Sequence, residues 1–142
     1  LTVYNRSIGK AKSWAEAYGG TVAISPAKAA EEADIVISCV GNDDDLAQVT
    51  LGREGAFRTM KPGGLFIVMD HAADKGSPTT TGQTIHRIDP SIVLSSAQSA
   101  GFLYVGKSDI LANPSDDRTK TPFAPDIRRH TDQFLFKFRK PG

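Results

Sequence analysis

A single cysteine among 142 residues leaves Cys39 without a partner for an internal disulfide and rules out a cysteine cluster for zinc. Long apolar runs are missing as well, and nothing approaches the roughly 20 residues of a membrane-spanning helix. Neither sign of charge is in excess. Net charge is +1, with 7 basic and 8 acidic residues up to Gly64 and 10 and 8 after it. No basic stripe asks for nucleic acid or an anionic membrane, so neither is expected as a partner. There is no internal repeat and no G-x-G-x-x-G phosphate loop. No signal-peptide pattern precedes the first strand-like run. The chain enters that run at Leu1, as an excised or engineered piece would, and a cytoplasmic location is expected.

What is present reads as α/β. Hydrophobic residues make up 39% and charged residues 23%, ordinary globular usage, and the length suits one domain over residues 1–142. Leu1–Asn5 is a short β-rich run. Ser7 then caps a helix reaching Tyr18, with Ile8, Ala11, Trp14, Ala15 and Tyr18 on one apolar face. Gly19-Gly20 ends it. Thr21–Ile24 is a second strand, and Ser25-Pro26 opens a helix that ends near Ala33. Asp34–Val40 is nearly all apolar, as a strand covered on both faces should be. Asn42 or Asp43 caps a helix to about Leu51, followed by a weaker helical stretch over Gly55–Met60.

The Lys61–Gly64 turn leads into a second buried strand, Leu65–Asp70, and His71–Arg87 reads as a polar loop. Asp89-Pro90 opens a helix that stops at Gly101. Phe102–Ser108 and Gln133–Phe138 are strands, separated by an irregular excursion rich in proline. Strands alternating with helices give right-handed parallel crossovers. The expected architecture is a Rossmann-like doubly wound, mostly parallel sheet in the order 2-1-3-4-6-5, its last strand antiparallel.

Three stretches, TVYNRS at Thr2–Ser7, ADIVISCVGNDDDL at Ala33–Leu46 and GAFRTMKPGG at Gly55–Gly64, resemble the cofactor domain of the hydroxyisobutyrate (β-hydroxyacid) dehydrogenase family. That resemblance covers residues 1–62. It implies that Asn5, Arg6 and Ser7 hold the 2′-phosphate of NADP and that Val40, Gly41 and Asn42 border the dinucleotide. From Lys61 onward the chain instead resembles the C-terminal half of a class I methyltransferase dependent on S-adenosylmethionine. LFIVMDHAA, HRIDPSIV, ANPSDDRTKTPF and TDQFLFKFRKP carry that likeness. The two resemblances together imply a chimera of half-domains, natural or designed, joined near 61–64. Neither half brings its family's glycine-rich loop, nor the family's catalytic lysine.

The expected function is accordingly a folded chimeric or designed scaffold without a complete catalytic site and without turnover. No resident cofactor is expected, NADP or S-adenosylmethionine being at most weakly held. The alternatives are an NADP-binding module and a methyltransferase-like protein. Arg6 beside a helix N-terminus, with Asn5, Ser7, Val40, Gly41 and Asn42, is the candidate site for a phosphate-like anion, worth on the order of 4 kcal/mol. The run Asn42–Asp45 is read as helix capping rather than metal ligation. His71 is read as an idle residue, His86 and His130 as structural or solvated, and Cys39 as a buried hydrophobe. Asp116-Asp117-Arg118 is read as a solvated loop cluster. No catalytic or metal-binding residue is assigned, and a homodimer by strand exchange through an exposed edge is the alternative to a closed sheet.

Overall fold

Residues 1–38 and 43–142 are described by a computed structural model, the side chains of Asp43 and Asp44 excepted. Mixed α/β secondary structure is arranged in two units, Leu1–Gly64 and Leu65–Pro141.

In the first unit, β1 (Thr2–Val3) pairs in parallel with β2 (Thr21–Val22), Thr2 opposite Thr21 and Val3 opposite Val22. Their crossover is α1 (Ile8–Tyr18). β1 is shorter than the run Leu1–Asn5 suggests, because Asn5 turns its side chain onto the Ser7 amide instead of continuing the strand. Gly20 follows the helix at φ 117°, and a Cβ there would lie 2.7 Å from the Leu1 carbonyl oxygen. Only glycine fits that approach.

Ser25 caps α2 (Pro26–Ala30) as expected, its hydroxyl accepting the Lys28 amide at 3.2 Å. The helix stops short of Ala33 because Glu31 leaves helical geometry to bridge to Met60, and Glu32 takes φ 56°. β3 (Ile35–Ile37) and α3 (Asp43–Leu51) follow, then a 3-10 turn at Ala56–Arg58. The Ala27 amide donates to the Glu54 carbonyl at 2.8 Å, which ties α2 to that turn.

This unit buries small residues. Ala11, Ala23, Ala30, Ala56 and Met60 form its core, while Ile24, Ile35, Ile37 and Leu51 remain exposed. Two expectations fail here. The apolar stripe of α1 is only partly covered, Ala11 being buried, Trp14 and Ala15 half-buried, and Ile8 and Tyr18 exposed. β3 is not sandwiched either, Ile37 being 78% exposed. The reason is topological: among the described residues β1 and β2 form a two-stranded sheet of their own, which does not extend to β3. The expected order 2-1-3-4-6-5 is therefore broken between β1 and β3.

The second unit is built on alternation. β4 (Leu65–His71) and β5 (Leu103–Ser108) lie on either side of β6 (Gln133–Arg139), which runs antiparallel to both. Side chains two apart share a sheet face, and Phe134, Phe136 and Phe138 are all buried. Phe138 lies 6.3 Å from Phe66 and 5.8 Å from Tyr104 between ring centroids, and Phe66 lies 5.6 Å from Phe102. Within the stretch expected to be loop, Thr81–Ile85 forms a short helix, α4, closed by His86 at φ 54°. α5 (Pro90–Ser99) starts at Asp89, whose carboxylate accepts the amides of Ser91 and Gly76.

Phe138 has no exposed surface. We expect Phe138→Ala to destabilise the protein by about 3–5 kcal/mol in urea denaturation followed by circular dichroism. A loss below about 1 kcal/mol would show that β6 is not the centre of this core.

Candidate functional site

The candidate site sits where α1 begins. First-turn amides of a helix have no intrahelical acceptor and carry partial positive charge. Ser7 holds the extended N-cap conformation, but its hydroxyl caps nothing; Asn5 Oδ1 instead accepts the Ser7 amide at 2.8 Å. That side-chain turn fixes the direction of Arg6. Its side chain is 76% exposed, and Nη1 donates to Asp45 Oδ1 at 2.6 Å. Asp45 stands in the first turn of α3, a position that favours a carboxylate.

Asp45, expected to serve helix capping within Asn42–Asp45, thus also meets Arg6. The two are 39 residues apart, and no spacing rule joins them. Asn5, Arg6 and Ser7 are contiguous at the helix start, whereas Val40, Gly41 and Asn42 lie outside the described residues, as does Cys39. Among the described residues no group of three or more His, Cys, Asp or Glu is placed to hold a metal ion. No helix among them is long and apolar enough to cross a membrane.

The histidines and the Asp116-Asp117-Arg118 run lie in the second unit. His71 Nδ1 faces the Thr131 hydroxyl at 2.9 Å and the Gln133 side-chain amide at 3.2 Å. An amide nitrogen can only donate, so Nδ1 accepts and the neutral ring carries its proton on Nε2. Burial, helped by the charge of Arg87, holds the His71 pKa below its ordinary value against the opposing pull of Asp70 and Asp116. His86 packs edge-on against Phe123, and the His130 carbonyl accepts from Asn113.

The reading of Asp116-Asp117-Arg118 as a solvated cluster is wrong for its first member. Asp116 and Arg87 have fully buried side chains and pair at 2.9 Å. Arg87 also donates to the carbonyls of Lys120 and Ala72. Asp116 accepts the amides of Asp132 and Arg118. Arg118 in turn pairs with Asp132 at 2.7 Å. A cavity of about 480 Å³ in this unit opens beside Lys75, Ser91, Lys107, Phe134 and Phe136. Lys107 there is paired with Asp109.

Comparison with known proteins decides the family. Residues 1–85 match the family described as the NAD binding domain of 6-phosphogluconate dehydrogenase. The chain belongs to that family. An uncharacterized oxidoreductase of Shewanella frigidimarina is 52% identical over 71 residues, 50% of this chain and 24% of that protein. The probable 3-hydroxyisobutyrate dehydrogenase-like 2 of Arabidopsis thaliana, a protein named as mitochondrial, is 38% identical over 69 residues, 49% of this chain and 23% of its own. An uncharacterized oxidoreductase of Bacillus subtilis is 38% identical over 69 residues, 49% of this chain and 24% of its own. The chain thus spans about a quarter of the length of the curated relatives it matches. No solved structure matches it.

Membership in this NAD-binding family corrects the expectation about the cofactor. The chain was expected to have no cofactor; the family and its dehydrogenase-named relatives point to NAD or NADP. The family match itself runs over residues 1–85. Nothing in the comparisons supports the methyltransferase resemblance, S-adenosylmethionine, or a chimeric or designed origin. An NAD-binding module fits these findings better than a scaffold without a site.

Two outcomes test the electrostatics of the second unit. Asp116→Ala strands a buried guanidinium and is expected to cost about 3–5 kcal/mol, whereas Asp117→Ala, on the surface, should stay within about 0.5 kcal/mol; equal losses in urea denaturation would contradict the buried pair. Burial opposes the Asp116 charge most strongly, but the amides of Asp132 and Arg118 and the charge of Arg87 outweigh it and depress the pKa. Its stabilisation is therefore full above the unfolded value of about 3.9 and is lost as pH falls through the folded value. For His71, also depressed, the same sign applies: the contribution is present above about 6.5 and disappears as pH falls through the folded value. An imidazole NMR titration of His71 with a midpoint at or above about 6.5 would contradict this environment.

Proposed function

We propose that this chain is the NAD(P)-binding module of a hydroxyacid dehydrogenase, and that its Asn5-Arg6-Ser7 turn holds the phosphate on the adenosine ribose of NADP. The observation that carries the reading is the family match over residues 1–85. The residues present fit that end of the cofactor. Arg6 offers an exposed guanidinium, whose planar fork suits phosphate oxygens, at the amino end of an eleven-residue helix. Asn5 holds the turn open by taking the Ser7 amide, so Arg6 leaves the helix start at its side. Val40, Gly41 and Asn42 are proposed to border the dinucleotide on the family resemblance alone.

When bound, a nicotinamide dinucleotide supplies a site for hydride transfer; this chain's own residues bind and orient its adenosine end. Two of the relatives carry no substrate in their names, while the Arabidopsis protein is named for 3-hydroxyisobutyrate. Small hydroxyacids are therefore the substrate class we propose for the whole enzyme.

Binding is tested by titrating NADPH and NADH while following the amide signals of residues 5–9. Both should bind, with NADPH moving those signals. Arg6→Ala should weaken NADPH about tenfold or more, the value of a charge-assisted hydrogen bond, and leave NADH within about twofold. Failure of either dinucleotide to bind at millimolar concentration would overturn the reading.

A further inference from the structure

We infer that Asp45 is a built-in competitor for the anion at Arg6, so that the chain's own carboxylate sets how strongly it prefers a phosphorylated over an unphosphorylated dinucleotide. The inference rests on the proposed cofactor reading of the Asn5-Arg6-Ser7 turn. The two members of the pair differ in their freedom. Arg6 is 76% exposed, and Asp45 only 23%. The carboxylate is set by its helix, and the long arginine side chain reaches it, Nη1 to Oδ1 at 2.6 Å.

An incoming ribose phosphate meets two obstacles that a ribose hydroxyl does not. It must take Nη1 from an acceptor already in place or share the guanidinium fork with it. In either case a dianion comes close to a fixed negative charge, and like charges at such range repel. A free 2′-hydroxyl has neither problem, because it can donate to the same carboxylate, as acidic residues do for the ribose of NAD. Arg6 favours the phosphate and Asp45 favours the hydroxyl. The pair therefore narrows discrimination between NADP and NAD, and Asp45 tunes the preference that Arg6 creates.

The test is Asp45→Asn, which keeps the side-chain volume and removes the charge. The probes are NADPH, NADH and 2′-phosphoadenosine, titrated against the full chain. We expect NADPH and 2′-phosphoadenosine to bind about three- to tenfold more tightly, the range of a partly exposed ion pair plus the relieved repulsion. NADH should be unchanged or weaker. Phosphate affinity that is unchanged or reduced in a folded Asp45→Asn protein overturns the inference while the cofactor reading stands. Absence of binding by every probe to either protein overturns both. A second measurement needs no variant: saturating the unaltered chain with 2′-phosphoadenosine should shift the Asp45 side-chain carboxyl carbon signal, since its arginine partner is drawn away. A signal that does not move on saturation overturns the inference independently.

Discussion

A guanidinium without exposed surface must have its donors met inside the protein, and Arg87 meets that demand with groups drawn from across the second unit. Nε reaches the Lys120 carbonyl, Nη1 the Ala72 carbonyl and the Asp116 carboxylate, and Nη2 the same carboxylate. Ala72 follows β4 directly, while Asp116 and Lys120 belong to the long excursion between β5 and β6. One side chain thus pins the excursion to the end of β4. The excursion must be pinned because the residues that follow it, Thr131 and Asp132, lead into the central strand. Asp116 completes the connection by accepting the Asp132 amide at 2.6 Å. Burying such a pair does not in itself stabilise a fold, since desolvation offsets most of the attraction. What it does here is set position: with Asp132 fixed, β6 enters with His71 opposite Gln133 and its three phenylalanines on one face.

The first unit obeys a different constraint. Its buried residues are mostly alanine, and an alanine side chain removes little apolar area from water. Tight backbone contacts replace bulk. Gly55 lies so close to the Thr50 carbonyl that a Cβ would sit 2.3 Å from it, and Gly52 stands equally close to the Gln48 carbonyl. The same economy leaves Ile24, Ile35 and Ile37 exposed.

Legibility from sequence followed the range of the interaction. Local rules worked: the Ser25-Pro26 and Asp89-Pro90 helix starts, the end of α1 at Gly19, and the closing strand from Gln133 are each decided by residues within a few positions. The resemblance of TVYNRS and its companion stretches led to a nicotinamide-dinucleotide domain, and the match over residues 1–85 places the chain in the NAD binding domain family of 6-phosphogluconate dehydrogenase. What was missed depends on contacts between distant residues. Ion pairs such as Arg6–Asp45 and Arg87–Asp116 join positions 39 and 29 apart, and composition assigns all four residues to the surface. Thr131 and Gln133 as partners of His71 were equally invisible. Strand order held for β4, β6 and β5 and broke at β1 for a related reason: an apolar run such as Asp34–Val40 shows that a strand wants cover, but not which layer supplies it.

These long-range pairs also show why a charge count says little about the candidate site. The residues up to Gly64 carry nearly balanced charge, and on that measure nothing distinguishes Arg6 from the six other basic side chains. Position distinguishes it. Lys28 is met by Glu31 within its own helix region, and Lys61 by Asp34, both pairs exposed and on flexible side chains. Arg6 alone of these three stands at the start of a long helix, and its acceptor stands at the start of another. Each helix end favours negative charge, so the carboxylate of Asp45 is stabilised where it is and the guanidinium is drawn toward it. An anionic ligand at the first helix would be drawn by the same field. On the proposed reading of the Asn5-Arg6-Ser7 turn, the chain's own carboxylate and a cofactor phosphate compete for one guanidinium and differ in charge and number of oxygens.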